Sequence, residues 1–122
     1  MKENFGEIIQ GSLEEEKQER QKRAEAEFDF DVDFVSFLSD RRNGSSIYLA
    51  RNGFKDSAEF LEKFKESEVS GDTESMKLAR TIVDNCFGYI GEKLNDDEED
   101  RLQKVKIELL IKEIDSKIES VA

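Results

Sequence analysis

The sequence predicts a mainly α-helical protein, a small bundle of about four to five helices, on three observations. Proline is absent and glycine occurs only seven times in 122 residues, so little in the chain interrupts a helix. Apolar residues recur at steps of three and four, the spacing of one helix face. Acidic or hydroxyl residues stand ahead of those runs, where N-caps belong. The length suits one small domain, and with 36% hydrophobic against 40% charged residues its core has to come from short, dense clusters. Two units are expected: a charged, amphipathic helical arm over 1–27 and a single compact helical domain over 28–122.

The arm opens with Phe5, Ile8, Ile9 and Leu13, a short apolar stripe at helical spacing. The following EEEKQERQKRAEAE has no large apolar residue. Ser12 and Glu15 have the form of a capping box, and Glu16 with Arg20 and Glu19 with Arg23 are favourably oriented i,i+4 pairs. Lys17, Arg20, Lys22 and Arg23 cluster here, but interspersed acids spoil them as a nucleic-acid face.

Next comes EFDFDVDFVSFL, in which acids and apolar residues alternate and then, at Phe34, stop alternating. An extended chain would place Phe28, Phe30, Val32 and Phe34 on one side and Glu27, Asp29, Asp31 and Asp33 on the other. Phe34, Val35, Phe37 and Leu38 fit a helix instead. The segment RRNGSSIYLARNGF holds two Asn-Gly pairs, a strong hairpin signal, so a short β-hairpin within 28–51 is the alternative. In the helical reading, Asn43 or Gly44 ends the helix in the left-handed conformation.

Later elements read more directly. Asp56 and Glu59 start a helix presenting Phe60, Leu61 and Phe64, and Gly71 stops it. Asp72 caps another, with Met76, Ala79, Ile82, Val83, Cys86, Phe87 and Ile90 on its inner side, and Gly88 and Gly91 mark its end or a kink. Asn95 and Glu98 pair as a cap for the last helix, which carries two apolar stripes. That helix is either buried between two neighbours, or its stripe of Ile107, Ile111, Ile114 and Ile118 meets a second copy in an oligomer.

The chemistry is restricted. A formal charge of −11 repels phosphates and anionic lipid headgroups and attracts basic surfaces, so neither direct nucleic-acid binding nor a membrane is expected. There is no histidine to act as general base or metal ligand, and the lone Cys86 excludes an internal disulfide. Asp29, Asp31 and Asp33 occupy the first three ligand positions of a calcium loop, but Phe34 stands where glycine must turn, and no metal or other cofactor is expected. No nucleophile motif or phosphate-binding loop is present, so no enzymatic activity is expected. The N-terminus lacks the charged and apolar regions of a signal peptide and no window is apolar enough for a span, so a cytoplasmic location is expected.

Binding remains. The acids Asp29, Asp31 and Asp33, with Phe30 and Phe34, form one candidate partner-binding surface, and Asp96, Asp97, Glu98, Glu99 and Asp100 a second. The first stretch resembles the acidic, phenylalanine-containing tail tips of bacterial single-stranded-DNA-binding proteins, though here it is internal to the chain. Burial of its phenylalanines in the protein's own core is the competing reading. The expected function is a non-enzymatic acidic protein that occupies a basic surface on a nucleic-acid-binding partner, as an inhibitor or nucleic-acid mimic of the kind phages and mobile elements encode. The alternative is a phage tail-type assembly chaperone or small oligomeric subunit.

Overall fold

The computed structural model describes residues 2–40, 42, 44–91 and 93–122, with side chains from Leu13 onward. The described residues form six helices and no strand: α1 Lys2–Glu27, α2 Phe30–Ser39, α3 Ser45–Arg51, α4 Ser57–Ser70, α5 Thr73–Gly91 and α6 Glu98–Val121. The helical class stands, with one helix more than expected and without the hairpin over 28–51. The stripe residues Phe5, Ile8 and Ile9, the Ser12 cap and Asn43 lie outside the described side chains.

The alternating stretch becomes helix because its acids close the helix start. Asp29 is the N-cap of α2 and accepts from the Val32 N–H at 3.2 Å, while Asp33 accepts from the Asp29 N–H at 2.8 Å. At 3.6 residues per turn the two faces of an extended strip cannot persist. Phe34, Phe37 and Leu38 turn inward, whereas Val32 is exposed.

The Asn-Gly pairs punctuate α3 rather than a hairpin. Gly44, at φ 65°, precedes its first turn. Gly53, at φ 81°, ends it in a Schellman arrangement: Phe54 N–H donates to Leu49 O at 2.9 Å and Gly53 N–H to Ala50 O at 3.1 Å. Both Leu49 and Phe54 join the core.

Helices α4 and α5 form as their caps predict. Asp56 accepts from Glu59 N–H, Gly71 ends α4 at φ 77°, and Asp72 accepts from Ser75 N–H at 3.1 Å. Helix α5 runs through Gly88 and ends at Gly91. The cap of α6 is Asp97, which accepts from Asp100 N–H at 2.8 Å, in place of the expected Asn95 and Glu98 pair.

Helices α2, α4, α5 and α6 pack in a ring, with α3 against α2 and α5. Phe34, fully buried, lies 5.7, 5.5 and 6.0 Å from the ring centres of Phe30, Phe60 and Phe64. Ion pairs join the outer faces, Arg80 to Asp115 at 2.8 Å and Lys117 to Glu68 at 3.3 Å. Helix α1 stands outside this ring and makes its main contact with α6. No described helix is long and apolar enough to cross a membrane.

Candidate functional site

Two ion pairs orient α1. Arg20 donates through Nε and Nη2 to the two carboxylate oxygens of Glu98, at 2.9 and 3.0 Å, and Lys106 meets Glu27 at 3.1 Å. Because Arg20 is level with the first residue of α6 and Glu27 with a residue two turns further on, the two helices run parallel. Ala24, fully buried, lies between the two pairs in sequence. Leu13 to Glu19 therefore extend about 10 Å beyond the start of α6, and every one of them is exposed.

This arrangement gathers acid at one end of the molecule. Glu14, Glu15, Glu16 and Glu19 come from α1, and Asp96, Asp97, Glu98 and Glu99 from the start of α6. Lys17, Arg20, Arg23 and Arg101 oppose them, with Arg101 held by Asp96 at 3.0 Å. The Glu98 carboxyl lies below its ordinary range, chiefly through its bonds from Arg20. Asp97 serves as a cap, and Glu99 is exposed and has no ion pair among the described residues.

Asp100 has a different job. It is buried, accepts from Arg42 Nη1 at 3.0 and 3.2 Å, and also accepts from the Asn95 N–H at 2.7 Å. Arg42 simultaneously donates to Asp40 through Nε and Nη2, and to Gln103 at 3.0 Å. The guanidinium holds the Asp40 carboxyl down at about 2 and lowers that of Asp100. The cluster ties the segment after α2 to the first turns of α6 with every charge partnered, so it is a structural clasp.

The first acidic stretch is dispersed. Asp29 and Asp33 close the α2 start, Asp31 pairs with Lys65, Phe30 is half-buried under Lys117, and Phe34 is wholly within the core. The continuous acidic strip of the extended reading is thereby replaced. The isoleucines also face inward: Ile107 and Ile114 are buried, and Ile111 and Ile118 pack half-buried on the same core. Within the chain, α6 is thus packed between its neighbours.

Between α1 and α2, over α6, runs an open cleft of about 900 Å³. Asp33, from the first acidic stretch, and Glu98 and Glu99, from the second, all line it, together with Glu27 and Asp40. Among the described residues no group of carboxylates and cysteine is arranged to hold a metal ion. Sequence reasoning missed the contacts of Arg20 with Glu98, Arg42 with Asp100 and Lys106 with Glu27, which join residues 78, 58 and 79 positions apart in the chain (106 − 27 = 79), beyond any local pattern.

No family model matches the chain, and no curated protein or solved structure matches it either.

Proposed function

We propose that this is a non-enzymatic, acidic protein-binding protein that docks its acidic end on a basic surface of another protein. The observation that carries the reading is the Arg20–Glu98 pair, which sets the exposed acids of α1 beside those that begin α6. Eight carboxylates against four cations, converging from two segments of chain, give a field that favours a cationic partner and speeds its approach. A surface built to hold phosphates is one such cationic surface, and the role proposed is that of an inhibitor or modulator of a nucleic-acid-binding protein, acting as a nucleic-acid mimic of phage or mobile-element type. The assembly-chaperone or oligomeric-subunit alternative draws less support, because the isoleucines it would use pack on the chain's own core.

The test changes Glu14, Glu15, Glu16, Glu19 and Glu99 to Gln and Asp96 to Asn, leaving Asp97, Glu98 and Asp100 to their structural bonds. Proteins retained by the parent chain from its source cells at about 50 mM salt and released at several-fold higher salt are identified and purified. Binding of such a protein to the variant should fall by about tenfold or more. Equal binding by both chains would reject the reading.

A further inference from the structure

We propose that the strip formed by Tyr89, Lys93 and the outer face of α3 is a docking surface for an acidic peptide segment of a second protein, one whose carboxylates flank an apolar side chain. It uses none of the residues of the acidic end and is independent of the reading given to them.

The strip begins as a gap in the charge pattern. Between Arg41 and Lys55 the sequence has no acid, although the chain holds 30, and between Asp84 and Glu92 it has no charge at all. The fold sets these two segments together, because α3 comes from the first, the last turns of α5 come from the second, and the two helices pack on each other. A face poor in acid therefore arises on a molecule with a formal charge of −11.

Its apolar part is open to solvent. Ile47 is 57% exposed and Tyr89 46%. The Tyr89 ring lies against Gly44, where an added Cβ would stand 3.4 Å from its Cε1. Gly44, Ile47 and Arg51 follow one another at steps of three and four, so they share one face of α3 over about 10 Å. Ile47 and Tyr89 are also outside the packed core, in contrast to Tyr48 beside them, which packs on it.

The described charges along this line are positive. Arg51 and Lys55 are exposed and carry no ion pair among the described residues. Lys93 holds its Nζ 3.7 Å from the centre of the Tyr89 ring, so its charge rests on the ring and not on a described carboxylate. The described acids nearest in sequence are engaged elsewhere, Asp40 with Arg42, Asp56 in the α4 cap and Asp96 with Arg101, while Glu92 lies outside the described residues. A guanidinium and an ammonium on either side of an aliphatic and an aromatic side chain match carboxylates that flank an apolar residue, and they oppose a lysine-rich segment. A ring already fixed between Gly44 and Lys93 gives up little freedom on binding.

The probe is a synthetic capped peptide of two leucines between paired glutamates, about 20 Å long when extended, with lysine in place of glutamate as control. Each is titrated into isotopically labelled full-length protein at about 150 mM salt, where screening over about 8 Å weakens repulsion from distant acids and leaves the contact charges in play. Amide shifts should concentrate at Ile47, Arg51 and Tyr89 and saturate with a dissociation constant of about 1 mM or tighter. Arg51→Glu combined with Lys93→Glu should weaken binding at least about tenfold while circular dichroism stays unchanged. Ile47→Ser, a change at an exposed position, should weaken it at least about threefold and supplies the same test should the double charge reversal disturb folding. Equal binding by the lysine peptide, shifts that leave out the strip, no saturation, or normal binding by these variants would overturn the proposal. Shifts at the same residues on concentrating the protein alone would give the strip to a second copy and overturn it likewise. The six-site charge variant judges the acidic end separately.

Discussion

At the scale of single residues, two groups separate packing from chemistry. Cys86 is fully buried in α5, and burial pushes its thiol up to about 11, so it is held protonated and out of reach of reagents at neutral pH. Its labelling in the folded protein should be far slower than in denaturant, and Cys86→Ser should lower stability by about 1–3 kcal/mol through a buried hydroxyl. Fast labelling together with an unchanged melting curve would contradict this. The Arg42 clasp predicts a pH dependence. Asp40 has a folded-state value of about 2 against 3.8 ordinarily, and Asp100 shifts the same way. A depressed carboxyl stabilises the fold above its unfolded value, and that contribution disappears as pH falls through the folded value. Stability measured by urea unfolding should therefore decline between about pH 5 and pH 2. Asp40 should account for about 1–2 kcal/mol of the decline once screening by solvent is allowed for. In Arg42→Gln the decline should be shallower and stability at pH 7 lower; an identical pH profile would show that the clasp does not hold in solution.

At the scale of elements, glycines with opposite backbone demands make a paired test. Gly53 ends α3 at φ 81° with open space around an added Cβ, so Gly53→Ala should be destabilising by about 1 kcal/mol from backbone strain alone. Gly88 lies within α5 with equally open space and no positive φ, so Gly88→Ala should stabilise by about 0.5–1 kcal/mol. Melting curves that move the two in the same direction would refute one of these two backbone assignments. The same glycines explain what was legible in the sequence. Helices α4 and α5 were readable because cap, apolar spacing and terminal glycine agree at each of them. Helix α3 was not, because Asn-Gly supplies a left-handed residue equally to a hairpin and to a helix end, and only the packing of Leu49 and Phe54 on the core decides between them. In α2, the acids that suggested a strip are the residues that cap the helix. The candidate site was half legible. Its acids are conspicuous in sequence, but the pairs that bring them together join residues with no shared local pattern.

At the scale of the whole molecule, charge acts on folding and on binding with opposite sign, and salt separates the two. The formal charge is −11, and Asp100 is the one buried charged group among the described residues, so nearly all the described charge is carried at the surface. Self-repulsion among these charges opposes the folded state. The ion pairs between helices work against that repulsion, but those of Lys65–Asp31, Arg80–Asp115 and Lys117–Glu68 are partly exposed, and such pairs contribute about 0–1 kcal/mol each. Salt screens both, yet repulsion sums over every acidic residue within about 10 Å or more, whereas each attraction involves a single contact. Repulsion should win, so raising salt from about 20 to 200 mM should raise the melting temperature. Binding to a basic partner should weaken over the same range, because there the screened interaction is attractive. In the variant lacking the six charges of the acidic end, both slopes should flatten together. A partner whose binding is indifferent to salt, in a protein whose stability rises with it, would mean that the acidic end supports solubility and that the contact is made elsewhere.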